Sequence, residues 1–352
     1  MYSESDLQDA VAAGAIPAQA AQALRDHVAR LRASPLVDEE QFRLLTGFND
    51  IFVSIAGIIL LVALGWLGNS LRFGIADRQP AFMSGVLVAA ASWGLAEYFT
   101  RRRRMALPSI LLLAGFVGGV ALALIAIVAQ IAPDVGDSIA SLIASAVAAC
   151  CALAAWLHWR RFMVPITVAA GSAAAAGVVG GLVMAAAPGF APLPFLLILA
   201  AGIALFAFAM WWDMSDRARL TRRSDVAFWL HLAAAPMIAH SLFHLLGVLD
   251  GGEIGGGRAL MVIALYVAFG VVALAIDRRA LLVSSLAYVL YALYALFRHA
   301  GAVELSWALT ALVIGSALLL LSALWHNARA MVVHSLPESI SARLPYLDRA
   351  VA

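Results

Sequence analysis

A chain of 352 residues that is 64% hydrophobic and 12% charged, with a mean hydropathy of +0.93, has roughly half the charged fraction of an average soluble protein, about 25%, which excludes an ordinary water-soluble enzyme. All 23 basic residues are arginine and they balance 21 acids to a net charge of +2, too even a balance for a nucleic-acid partner. The two cysteines, Cys150 and Cys151, are adjacent in an apolar run, so they offer neither a disulfide framework nor a metal-ligand spacing.

Residues 1–46 read as a small cytoplasmic helical hairpin ahead of the membrane. Ser5 caps a short helix to Ala13, Gly14 suits the left-handed position that ends it, and Pro17 suits the first turn of a second helix, Pro17 to Arg32. That helix sets Leu24, Val28 and Leu31 on one face. Ser34-Pro35 breaks it, and Asp38, Glu39 and Glu40 stand where a third helix would begin, complementing its dipole. So small an apolar face rarely folds alone, which favours docking of the hairpin on the membrane surface; a cytoplasmic protein partner is the alternative.

Ten apolar runs follow, each close to the roughly 20 residues needed to cross about 30 Å of hydrocarbon. They run from Ile51 to Gly68, Pro80 to Phe99, Leu107 to Gln130, Ile139 to Trp159 and Met163 to Ala187, then from Leu193 to Trp212, Val226 to Gly247, Ala259 to Ile276, Ala280 to Phe297 and Leu305 to Trp325. The last two are the least sharply bounded, because the loops around them are short. Residues 47–327 thus read as an all-α, polytopic transmembrane helix bundle, and 328–352 as a short tail. The polar N-terminus carries no cleavable signal pattern, so the first run is a retained helix.

Arginines set the orientation, since short loops rich in Lys or Arg stay in the cytoplasm. Only Arg72, Arg78, Arg258 and Arg298 fall on one side; the other 19 lie before the first span, after each even-numbered span or in the tail. Both termini are therefore expected on the cytoplasmic side. The arginine runs read as topology anchors.

A weak repeat with a period near 55 residues runs through the membrane part, from an arginine loop through an outward helix, a short outer loop and a returning helix. Its returning helices end alike: Glu97-Tyr98 before Arg101, His158-Trp159 before Arg160, Trp212-Asp213 before Arg217, Asp277 before Arg278, and Trp325-His326-Asn327 before Arg329. Interfacial preference of aromatics and arginines produces much of this without common ancestry. A genuine repeat would give parallel hairpins, whereas a five-plus-five split would give inverted halves. Gly115, Gly118 and Gly119 in span three, and Gly171, Ala175, Gly177, Gly180 and Gly181 in span five, make small-residue packing faces. They suggest that span five is central.

Ionisable residues within spans are costly and are functional candidates by default. Glu97 lies near the cytoplasmic end of span two, where a salt bridge to Arg101 is the simplest role; Asp50 stands at the start of span one as an interfacial cap. His240 and His244 share one face of span seven beyond Pro236, with His231 on nearly the opposite azimuth. Together with Asp250 or Glu253 in the glycine-rich outer loop, and near His299 and Glu304 on another, they could hold a metal or haem, contact protons or solute, or pack through hydrogen bonds. Packing is the simplest, since a zinc site wants three or four ligands and neither HExxH nor a cysteine set is present. No GxSxG elbow, P-loop or dinucleotide fingerprint occurs, so no cofactor and no catalytic residue are expected.

The hairpin segment Ala13-Gly14-Ala15-Ile16-Pro17-Ala18-Gln19, with Phe42-Arg43 and Gly47-Phe48-Asn49-Asp50 before about ten spans with minimal loops, resembles the bacterial families of predicted membrane proteins with domains of unknown function. The resemblance implies an inner-membrane protein and supplies no site residues. Ten spans with both ends inside also look like the drug/metabolite transporter superfamily, although the N-terminal hairpin is not typical there. Three functions are thereby expected in turn: a transporter or channel for a small, weakly charged solute; a scaffold or sensor whose hairpin binds a partner; and a haem- or metal-binding membrane protein. Oligomers are compatible with each.

Overall fold

The computed structural model describes residues 10–32, 48–71, 81–132, 134–190, 192–219, 221–248, 255–299 and 305–347. Two compact units divide the chain, residues 1–42 with 348–352, and residues 43–347. In the first, α1 covers Ala18–Arg32 after a turn where Gly14 has φ +70°, the left-handed value that glycine adopts without strain. Ser5, Ser34-Pro35 and the helix expected at Asp38 lie outside the described residues.

The second unit is an all-α bundle containing ten helices long and apolar enough to cross a membrane, and the protein is an integral, multi-pass membrane protein. They are α2 Phe48–Ser70, α3 Phe82–Arg102, α4 Ala106–Ile131, α5 Asp137–Phe162 and α6 Ile166–Ala186, followed by α7 Leu193–Met214, α8 Arg222–Leu245 and α9 Gly256–Ile276. The last two are α10 Ala280–His299 and α11 Ser306–Ala323. Helices α12 Trp325–His334 and α13 Glu338–Ser341 follow them. Among the described residues there is no strand. Large side chains such as Phe52, Trp66, Leu312 and Leu319 stand exposed on these helices, forming an apolar exterior suited to lipid rather than water.

Hydropathy located every span, while several helices overrun their apolar runs. Helix α8 begins at Arg222, four residues before its apolar stretch, because the Thr221 side chain caps it by accepting from the Arg223 amide. The last six residues of α3, Glu97–Arg102, form a π-turn that carries the helix beyond the apolar run into the arginines. Pro236 stands inside α8.

Packing is densest between helices joined through the arginine-rich turns, namely α3 with α4, α5 with α6, α7 with α8, and α9 with α10. The packed hairpin is therefore a returning helix plus the next outgoing one, offset by one helix from the unit suggested by the sequence. Helix α8 is the central element: it contacts α6, α7 and α10 and buries nine residues, among them Leu230, His231, Ala235 and Phe243. The expectation that span five is central is corrected, because α6 buries only Thr167 and Ala169. Its small residues let it approach α5 closely, as at Gly181 where a Cβ would lie 2.8 Å from the Ser141 carbonyl oxygen, but close approach on one side removes little area from lipid.

Candidate functional site

The turn after α7 and the turn after α9 lie together, and they concentrate the charge that this protein buries. Asp213 closes α7 among tryptophans, and its side chain is 1% exposed. One carboxylate oxygen accepts from Arg278 Nη2 at 2.8 Å; the other lies 2.9 Å from His231 Nε2 on α8. Arg278 Nη2 also donates to the Ser224 carbonyl at 3.1 Å, so the guanidinium ties the end of α7, the start of α8 and the turn after α9. His231 is the tenth residue of α8, about 14 Å along the helix from its first residue, and the edge of its ring meets Phe206 with centroids 5.1 Å apart.

A second ion-paired centre adjoins the first through the peptide bond between Asp277 and Arg278. Asp277 ends α9 in the left-handed region, φ +58°. Its carboxylate takes Arg219 Nη1 at 2.9 Å and the Trp325 indole N–H at 2.8 Å, with Arg329 Nε at 3.7 Å. Arg219 further donates to the carbonyls of Ile276 and Asp277 at 3.0 and 3.2 Å, capping the electronegative end of α9. Arg329 reaches the carbonyls of Pro345 and Tyr346 at 2.8 and 3.1 Å. Arg217 donates to the Leu344 carbonyl at 2.8 Å and lies 4.2 Å over the Tyr346 ring. The segment after α13 is thus strapped through its own backbone to the second centre, by Arg329, and to the turn after α7, by Arg217.

These contacts give three of the arginines a role beyond marking the ends of helices. Arg219, Arg278 and Arg329 are buried ion-pair partners. Removing such charges from water costs several kcal/mol each unless they are paired and hydrogen-bonded, which accounts for the density of partners. The sequence carried a signal that went unused. The polar residue ending each returning helix is acidic at Glu97, Asp213 and Asp277, and each of these finds the arginine that follows the next returning helix: Arg161 at 2.6 Å, Arg278 at 2.8 Å and Arg329 at 3.7 Å.

The residues expected to form a site are dispersed. Glu97 makes the predicted contact with Arg101 at 3.3 Å, but its closer partner is Arg161, whose Nε and Nη2 meet both carboxylate oxygens at 2.6 and 2.9 Å. Asp50 is in the first turn of α2, where the helix dipole favours an acid, yet it is buried instead of facing open water. At the opposite end of α8, His240 Nδ1 meets the Tyr288 hydroxyl of α10 at 2.7 Å. His244 stacks on Phe195 of α7, with centroids 3.4 Å apart and planes 11° apart. Phe195 lies beside both histidine rings, so each is packed against aromatic partners, and among the described residues no group of three His, Cys, Asp or Glu could hold a metal. Asp250, Glu253, Glu304 and the side chain of His299 lie outside the described residues. We expect the His240→Ala, His244→Ala double variant to match the wild type in zinc content and Soret absorbance after purification; a signal lost from the double variant would overturn the packing assignment.

Another histidine was passed over in the sequence. His158 is fully buried on α5, between Phe116 and Phe162 and beside the edge of Trp93, with Thr167 Oγ1 3.3 Å from Nδ1. Its position within Trp156-Leu157-His158-Trp159 looked interfacial, and only the neighbouring hairpin encloses it. Comparison of the chain with family models, with curated proteins and with solved structures finds no match, so the site rests on its own geometry.

Proposed function

We propose that this chain is a transporter or channel for protons or a small solute, in which Asp213, His231 and Arg278 form a proton-responsive centre. In this reading it lies in a bacterial inner membrane, akin to the membrane-protein families of unknown function, with both termini and the arginine-rich turns in the cytoplasm. The observation that supports it is the pairing of His231. Asp213 bonded to Arg278 is a carboxylate, an acceptor only, so the imidazole must donate to it from Nε2. In the neutral ring that leaves Nδ1 as a lone-pair acceptor, and this buried atom has no partner. A neutral imidazole held in that tautomer is ready to take up a proton, and ionisable groups within membrane helices mark ion and proton paths.

The test is proton movement into vesicles that enclose pyranine and carry the full chain. After an external acid pulse, wild-type vesicles acidify faster than protein-free vesicles. His231→Gln, which keeps an N–H donor for Asp213 but offers no imidazole, returns the rate to the protein-free value. Wild-type vesicles indistinguishable from protein-free ones, or an unchanged rate in His231→Gln, would remove the proposal.

A scaffold role has one observation in its favour, the division of the chain into a separate N-terminal unit and a membrane unit. Removing residues 1–35 separates the readings: a scaffold loses its partner, whereas proton movement persists.

A further inference from the structure

We propose that a crevice between α2, α3 and α4 holds one acyl chain of an anionic glycerophospholipid, with the lipid phosphate against Arg102 and Arg104. This site is independent of the ion-pair network. The crevice has a volume near 310 Å³ and is walled by apolar side chains that include Phe52, Leu61, Phe99 and Leu112. It exists because Ala56 and Gly57 on α2 are small. A Cβ at Gly57 would meet nothing within 4 Å, so the helices leave a notch at that level.

Two polar features say what fills it. Ser54 lines the crevice, and its hydroxyl is buried without a hydrogen-bond partner, which is costly unless something accepts from it. Ser54 is six residues from the start of α2, about 9 Å inside the helix end. A lipid whose headgroup lay at that helix end would carry its glycerol esters toward this level, and an ester carbonyl there would accept the Ser54 proton.

The second feature is charge at the mouth. Phe99 and Pro108 line the crevice, and the chain between them is the arginine run, folded back by the Met105 amide donating to the Phe99 carbonyl at 3.1 Å. Within that run Arg101 is engaged by Glu97 and Arg103 by the Tyr98 hydroxyl. Arg102 and Arg104 are exposed and, among the described residues, have no carboxylate partner. An apolar slot, an unused hydroxyl about two turns inside the helix end and two uncommitted guanidinium groups match the tail, ester and phosphate of one lipid in that order. A zwitterionic headgroup would answer the slot but not the excess positive charge.

The experiment is native mass spectrometry of the full chain in detergent with an equimolar mixture of phosphatidylglycerol and phosphatidylcholine. Wild type retains phosphatidylglycerol in preference. In Arg102→Gln, Arg104→Gln the preference falls about fivefold for each arginine removed. Gly57→Phe, whose ring occupies the notch, loses the bound lipid. Because the arginine variant changes only exposed side chains, it reports on the site even if Gly57→Phe fails to fold. Equal retention of the two lipids by wild type, an unchanged preference in the arginine variant, or lipid retained by a folded Gly57→Phe would each overturn the proposal.

Discussion

Asp213→Ala is expected to lower the unfolding free energy by about 3–5 kcal/mol, the usual cost of leaving a buried partner charge uncompensated. The substitution strands the Arg278 guanidinium, which donates to Asp213 and to the Ser224 carbonyl, and it leaves His231 Nε2 without its acceptor. Its companion is the triple variant Asp213→Leu, His231→Leu, Arg278→Met. Replacing a whole buried ionic group by apolar residues of similar volume is often neutral or stabilising, so the triple variant should unfold near wild type although proton movement is lost. Denaturant unfolding in detergent, followed by tryptophan fluorescence, reads both. A stable Asp213→Ala, or a triple variant as damaged as the single one, would show that the centre is not the electrostatic unit its distances indicate.

Gly85→Ala should cost about 3 kcal/mol, the upper end of the range for overpacking. On α3 a Cβ at this position would lie 2.3 Å from the Ala123 amide nitrogen and 2.4 Å from the Gly119 carbonyl oxygen of α4. Both are backbone atoms, and only separation of the two helices relieves such contacts. Gly119 faces the same crossing from the other side, where a Cβ would lie 2.6 Å from the Ala89 amide nitrogen. The double variant Gly85→Ala, Gly119→Ala should therefore lose less than the sum of the single losses, since one displacement accommodates both methyls. Gly94→Ala on the same helix is the control, because its Cβ would meet nothing within 4 Å. Thermal aggregation midpoints separate the two cases, and equal midpoints for Gly85→Ala and Gly94→Ala would refute the close crossing.

The acid-to-arginine contacts bear on whether the hairpins are a true repeat. Interfacial preference explains why aromatics and arginines end each returning helix. It does not explain why an acid at the same place reaches the next hairpin's arginine, at separations of 64 residues for Glu97 with Arg161 and 65 for Asp213 with Arg278. Contacts with matching offsets at two places in one chain favour successive hairpins set side by side in the same sense. The third pair, Asp277 with Arg329, is 52 residues apart and longer in space at 3.7 Å, so the match holds for the first two pairs and not for the last.

The amino-acid sequence by itself determined that this is a membrane protein, how many times it crosses, and where each helix lies along the chain. Those properties follow from the length and apolarity of continuous segments, which hydrocarbon thickness constrains one helix at a time. It also marked Glu97 with Arg101, a pair within one helix turn. What the tertiary structure decided is which polar residues meet across the turns. Asp213, His231 and Arg278 lie on three different elements, and an arginine at the end of a membrane helix has the same local pattern whether it is exposed, as Arg102 is, or is 4% exposed against a carboxylate, as Arg278 is. The 23 arginines therefore look alike from their positions in the chain. Only the packing of hairpin on hairpin separates the exposed ones from those that build the buried ionic centre, because burial is a property of neighbours distant in sequence.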